Sequence, residues 1–342
     1  MRKIFKRVLS FGLAVAVCGG VAALYGAADY TVADAATASS YYSGITATSG
    51  TELLGQLHDL ITAKRTKYST YADCRDFGKT TDPGSKSNTV MEFYTHIDID
   101  NSKWDVSGGW NREHVWPKAN SNGLWSNGDN WHGNDTVGGG GDLHHIRPAE
   151  KDINNSRGNK LYGTVGTGGK KEYPSGSNVL GGHSNGSSSG GTFEPIDEVK
   201  GDVARIIFYV YTHYNTYTNS IFEGYAKTNG SSSVSGYASS LFGTLNFTHI
   251  IRANSDAAAV KLLLEGNKLD PVDAIETKRN EEVFKIQGNR NPFIDNEDYA
   301  DAIWGDGSVT PSPDDPADFN GAATISIDSF KASSSYGFYK WS

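Results

Sequence analysis

Carboxylate, imidazole, carboxamide and guanidinium groups crowd into one stretch of the chain, Trp110 to Asn159, more densely than anywhere else in its 342 residues. The stretch opens with Trp110-Asn111-Arg112-Glu113-His114-Val115-Trp116-Pro117 and passes through a glycine-rich insertion from Lys118 to Gly141. It closes with Asp142-Leu143-His144-His145-Ile146-Arg147-Pro148 and Asp152-Ile153-Asn154-Asn155-Ser156-Arg157-Gly158-Asn159. Any fold must satisfy or expose these groups together, and the mixture suits metal-assisted phosphoryl transfer. The pattern predicts a strand around His114-Val115-Trp116 ended by Pro117, and a helix from Ala149 to Ser156 that carries Asn154. On a strand Glu113 and His114 point to opposite faces, whereas a bulge or turn would bring both to one pocket. Trp110 and Trp116 read as rigid walls beside them.

The rest of the chain supplies a scaffold. Arg2, Lys3, Lys6 and Arg7 precede an apolar run from Val8 to Leu24, and Ala36-Thr37-Ala38 offers small residues for cleavage, so residues 1–38 read as a secretory signal and the product as extracellular. The net charge of −8 becomes more negative once four basic and two acidic residues leave with that segment. A polyanion partner must then be met by locally concentrated positive charge. From Asn111 to Lys171 the basic residues do outnumber the acidic ones, and nothing resembles a recognition helix or zinc finger. Only Cys74 remains after cleavage, so no intramolecular disulfide is available and the core must suffice.

Residues 39–50, rich in Ser, Thr and Gly, read as a flexible leader. A helix is expected from about Thr51, with Leu53, Leu54, Leu57, Leu60 and Ile61 on one face. Thr89 to Tyr94 reads as a strand after the turn Asp82-Pro83-Gly84-Ser85. Gly163 to Thr192, poor in buriable side chains, reads as a long surface loop. Asp197 is expected to cap a central buried helix carrying Val199, Val203, Ile206, Ile207 and Val210. Two more helices are expected at Asp256–Glu265 and Pro271–Lys285, then the polar turn Gln287 to Asp295 and a last amphipathic piece ending at Trp304. The proline- and aspartate-rich residues 306–318 read as a linker. Residues 319–342 read as a tail or the stub of an accessory β module.

The three site motifs, together with Phe193-Glu194-Pro195, Lys200-Gly201-Asp202-Val203-Ala204-Arg205 and Gln287-Gly288-Asn289-Arg290-Asn291-Pro292-Phe293-Ile294-Asp295, occur in the order seen in a known family. The chain resembles the secreted endonuclease I family, within the ββα-metal or His-Me finger nucleases, over residues 51–305. The resemblance implies an α+β fold: a ββα-metal core embedded in a mostly helical single domain with long loops. It implies that His114 is the general base, and that Glu113 and Asn154 are the catalytic metal ligands of one hard cation, Mg²⁺ with Mn²⁺ or Ca²⁺ as substitutes. The expected reaction is sequence-non-specific hydrolysis of DNA, with RNA as a second substrate, by a monomer that leaves 5′-phosphate and 3′-hydroxyl ends. Arg112, Arg147, Arg157 and Asn159 are candidates for substrate contact. His144, His145 and Glu194 are candidates for the layer behind the metal, with an ion pair from Glu194 to Arg205 or Arg290 as the structural alternative. Trp125, Trp131, His132 and His183 lie in inserted loops without an assigned role. Two rival readings stay open: a zinc phosphohydrolase built on His114, His144, His145 and a carboxylate, and a catalytically silent secreted binding protein whose aromatic end (Tyr336, Phe338, Tyr339, Trp341) makes contacts.

Overall fold

One helix with almost no exposed residue organises the fold. The computed structural model describes residues 40–125, 138–215 and 244–309. The expected signal segment, Trp131, His132, most of the expected linker and the whole tail lie outside the described residues. The helices are α1 (Gly50–Lys64), α2 (Asp73–Thr81), α3 (Lys151–Arg157), α4 (Lys200–Tyr214), α5 (Asp256–Leu269), α6 (Ala274–Gln287), α7 (Pro292–Asp295) and α8 (Asp298–Trp304). The strands are β1 (Thr89–Met91), β2 (Asp98–Asp100), β3 (Trp110–His114), β4 (Ile146–Glu150), β5 (Leu161–Tyr162), β6 (Lys170–Glu172), β7 (Gly182–Asn185) and β8 (Thr192–Pro195). They form two antiparallel pairs, β1-β2 and β3-β4, and a four-stranded sheet in the order β5-β8-β7-β6. The chain is therefore α+β.

In α4 every residue except Tyr211 is buried. A helix apolar on all sides belongs in the middle of a core, and α4 packs against α1 and α5. Its charged residues are tolerated there because each has a partner. Lys200 reaches Glu194 at 3.1 Å, Asp202 faces His96 at 3.6 Å and Arg205 holds Glu276 through two nitrogens. Glu194 thus pairs with Lys200 and with the amide of Val165, not with Arg205 or Arg290 as expected.

Three expectations change. Residues 41–47 are not a loose leader: Tyr41, Tyr42, Ile45 and Ala47 are buried in the main core, and the Tyr42 hydroxyl donates to Asp295 at 2.6 Å. The Ser and Thr between them hide the apolar spacing. The expected surface loop from Gly163 to Thr192 holds strands β6 and β7 and runs into β8. These strands stay invisible to an apolar pattern because their inward positions include Glu172 and Ser184, which satisfy one another by a 2.5 Å hydrogen bond. The helix α2, carrying Cys74, has no counterpart in the expectations. Boundaries shift elsewhere: β1 stops at Met91, β3 lies earlier than its pattern suggests, and α6 starts at Ala274, where Asp273 accepts from the amides of Ile275 and Glu276. At the far end Gly288, with φ of 84°, turns the chain in the left-handed conformation. The polar Asn289, Arg290 and Asn291 that follow are fully buried, not a surface turn.

Asp142 ties these layers together. Its carboxylate, buried, accepts from Arg65 Nη1 at 2.9 Å, the hydroxyls of Tyr209 and Tyr214 at 2.8 and 2.6 Å, Gln287 Nε2 at 3.0 Å and the amide of His144 at 2.9 Å. Burial alone would raise its pKa, but the Arg65 guanidinium and the other donors hold it well below the usual carboxylate range. A depressed folded pKa adds stability above about pH 4 that is lost as the pH falls towards the folded value. Asp142→Asn, which leaves Arg65 buried without a counter-charge, is expected to cost about 3–5 kcal/mol at pH 7. Denaturant titration at pH 7 and pH 3 checks this, the gap from wild type narrowing in acid.

Candidate active site

The β3-β4 pair presents the site. Its register is one to one, with Trp110 opposite Glu150, Glu113 opposite Arg147 and His114 opposite Ile146, so no bulge gathers Glu113 and His114 into one pocket. Period-two alternation sends the two side chains into different surroundings. Glu113, buried, meets Tyr94 and the helix α3; His114, half-buried, meets Tyr71 and His145. Trp110 and Trp116 are wholly buried and belong to the core behind the strand instead of walling an open cleft.

On the first face, Glu113 Oε1 accepts from the Tyr94 hydroxyl at 2.6 Å and lies 3.2 Å from Arg157 Nη1. Burial raises the Glu113 pKa, and Arg157 works against that rise. Arg157 also donates to the carbonyls of His114 at 3.0 Å and Val115 at 2.5 Å, while its guanidinium lies over the Tyr162 ring. It is a buried clamp on the strand exit and not a surface phosphate ligand. Asn154, on α3, points its Nδ2 at Asn111 Oδ1 (2.7 Å) and the Arg112 carbonyl (3.2 Å). Both partners are acceptors, which fixes the amide with Oδ1 turned away from them. Two oxygens, Glu113 Oε2 and Asn154 Oδ1, thus accept no hydrogen bond from the described residues. Hard oxygen donors of this kind fit a cation that keeps several waters.

On the second face, the His114 imidazole stacks on Tyr71 with 4.9 Å between centroids and lies edge-on to His145 at 5.5 Å. The Gly140 carbonyl works against the fall in its pKa, and a neutral imidazole keeps one ring nitrogen with a free lone pair. Burial, then the neighbouring His145, hold its pKa well below the usual histidine value. His145 is itself pinned: its Nε2 accepts from the Trp116 amide at 2.9 Å and its Nδ1 donates to the Gly139 carbonyl at 2.6 Å. Burial pushes its pKa down to about 4, which keeps it neutral. The Gly138–Gly141 turn that supplies these carbonyls must be glycine at 139, because a Cβ there would stand 1.9 Å from Trp125 Nε1. Trp125 is therefore a packed wall behind His145.

The remaining candidates separate clearly. His144 is buried against Tyr209, with Nε2 at 2.9 Å from the Asn289 carbonyl, and takes no part on either face. Arg147 is committed to Asp82 at 3.0 Å and lies over Phe93, which removes it as a phosphate contact. Asn159 is held through its backbone, by the Ser188 carbonyl and Asn120. His183 sits on β7 opposite Lys171 and Glu194. Arg112 keeps its candidacy: half-buried, it pairs with no carboxylate among the described residues. Among the described residues no three of His, Cys, Asp or Glu converge as metal ligands, so the zinc reading finds no ligand set among them; His145 has both nitrogens occupied, and His144, whose Nδ1 has no partner, is buried in the core away from Glu113. Tyr71, Tyr94 and Gly140 carry no sequence signal of their own; only the glycine run before Asp142 hinted at the last.

A strand that carries a neutral imidazole on one side and a buried carboxylate on the other, crossed by a helix with a free amide oxygen, has the parts of a hydrolase that activates water. Its class is settled by kinship. The chain belongs to the Endonuclease I family, whose pattern it matches over residues 49–298, and it is a nuclease. It is 33% identical over 296 residues to an extracellular ribonuclease of Bacillus amyloliquefaciens, covering 85% of this chain and 87% of that protein. It is 34% identical over 275 residues to an extracellular ribonuclease of Bacillus subtilis (strain 168), covering 78% of each. This membership removes the catalytically silent reading.

Because Arg157 is the only basic group on Glu113 among the described residues, Arg157→Met is expected to cost about 3–5 kcal/mol in chemical denaturation, by leaving a buried carboxylate uncompensated. Arg157→Lys, which keeps the charge and loses the fork, is expected to cost roughly half as much.

Proposed function

We propose that the protein is an extracellular, sequence-non-specific endonuclease that hydrolyses phosphodiester bonds of RNA and DNA with one Mg²⁺, for which Mn²⁺ or Ca²⁺ can substitute, and leaves 5′-phosphate and 3′-hydroxyl ends. The observation that carries this reading is the His114 imidazole, held between Tyr71 and His145 and kept neutral by burial, so that a ring nitrogen can accept a proton from water. Water as nucleophile makes the 2′-hydroxyl unnecessary, so one site serves both sugars. The relatives' printed names favour RNA as a substrate.

In this reading β3, β4 and α3 form a ββα-metal core. Glu113 through Oε2 and Asn154 through Oδ1 would hold the cation, whose chemistry is to neutralise charge on the phosphoryl group and on the departing 3′ oxygen. Tyr94 and Arg157 favour the ionised form of Glu113 against the burial that raises its pKa, and they aim the carboxylate by occupying Oε1 alone. The protein acts as a monomer, and its phosphate contacts carry no base information. Extracellular placement rests on the basic and apolar N-terminus and on the relatives' names; no helix among the described residues is long and apolar enough to cross a membrane.

The test incubates purified protein with supercoiled plasmid and, separately, with a structured RNA, in Mg²⁺, Zn²⁺ or EDTA, beside His114→Ala. Both substrates should be cut in Mg²⁺ only, with His114→Ala slower by roughly 10²- to 10⁴-fold. RNA cut in EDTA to 2′,3′-cyclic phosphates would sink the reading. By calorimetry, Glu113→Ala and Asn154→Ala should lose Mg²⁺ affinity while His114→Ala keeps it.

A further inference from the structure

The buried arginines Arg65, Arg147, Arg157, Arg205, Arg279 and Arg290 each face a carboxylate within 3.2 Å. Arg112 breaks the pattern. It sits two residues before His114 on the same face of β3, half-buried, and faces no carboxylate among the described residues. Its guanidinium lies 3.5 Å from the centroid of the Tyr71 ring and 5.1 Å from that of Trp104, and its Nη1 donates to the Tyr71 carbonyl. Its Nε is buried without any acceptor, and its charge also acts on the Tyr71 hydroxyl, working against the rise that burial gives that group's pKa. A cation partly withdrawn from water loses solvation that a counter-charge would otherwise replace, and aromatic faces offset only part of that loss. The fork is thus braced on one side and has hydrogen-bonding capacity left over.

Tyr71 also touches the base. The same ring stacks on the His114 imidazole, so one aromatic side chain contacts both groups. Its own place is set locally. Thr70 and Asp73 exchange hydrogen bonds, with the Thr70 amide reaching Asp73 Oδ2 at 2.9 Å and the Asp73 amide reaching Thr70 Oγ1 at 3.2 Å. Cys74, the second residue of α2, donates to the Gly141 carbonyl in the glycine turn before Asp142.

We propose that Tyr71 is a positioning residue, holding the Arg112 guanidinium and the His114 imidazole against one ring, and that Arg112 so held binds a phosphodiester oxygen of the nucleic-acid strand beside the base. The inference rests on the phosphodiester reading above. It assigns the local positive charge that an acidic protein needs to a single uncompensated guanidinium.

Binding of a labelled single-stranded oligonucleotide in EDTA, titrated over salt, separates this role from a structural one. Arg112→Gln is expected to weaken binding by roughly 10- to 100-fold at low salt and to reduce the slope of log affinity against log salt by about one. Arg112→Lys should keep the slope and still bind more weakly, because the planar fork is gone. In Mg²⁺, Tyr71→Phe should stay near wild type, whereas Tyr71→Ala should lose roughly tenfold in kcat, and adding Arg112→Gln to Tyr71→Ala should cost less than Arg112→Gln costs alone. A wild-type salt slope in folded Arg112→Gln overturns the proposal, and so do unchanged affinity in Arg112→Lys or equal kcat in Tyr71→Ala and Tyr71→Phe. Failure of the phosphodiester reading is separate, since it shows as absent turnover in the wild-type protein.

Discussion

The buried carboxylate of Asp142 is the constraint on which the rest of the structure depends. It joins Arg65 at the end of α1, Tyr209 and Tyr214 on α4, and Gln287 at the end of α6. It stands at the point where the glycine turn ends and the segment leading to β4 begins. One anion in the low-dielectric interior can hold several donors at once because each hydrogen bond to a charged acceptor is stronger than a neutral one. The β3-β4 pair that carries the candidate site thereby inherits the rigidity of the helical core.

A second ionic clamp transmits that rigidity to the chemistry. Arg157 holds Glu113 and the carbonyls of His114 and Val115 with one planar fork, and His145 pins the Trp116 amide from the other side. Adjacent residues therefore acquire opposite characters. Burial raises the Glu113 pKa and a buried cation opposes that rise, whereas His114 is kept neutral by burial and its neighbour His145. A protonated imidazole could not accept a proton, and a protonated carboxyl would be a poor cation ligand, so both environments serve hydrolysis.

Much of this was legible from residue order. The helices α1, α4, α5 and α6 follow from apolar spacing, and Glu113, His114 and Asn154 stand out by chemical type and by the motifs around them. Other parts were hidden for identifiable reasons. Glu172 and Ser184 conceal β6 and β7 because their pairing cancels the polarity that a pattern registers. Arg147 and Glu194 look available in a sequence, yet Asp82 and Lys200, distant or unmarked, consume them. Tyr71 is an ordinary tyrosine until packing sets it against Arg112 and His114.

The sequence by itself determined the family, the α+β class and the central helix, and it singled out the three candidate site residues, because these depend on local periodicity and on functional groups that stand close together in the chain. Tertiary structure alone decided which charges are neutralised and which remain. That outcome depends on partners up to 197 residues apart, such as Arg279 on Asp82, and on burial that makes each unpaired charge costly. Of the arginines near the site, Arg147 and Arg157 are consumed by the fold, and Arg112 faces no carboxylate among the described residues.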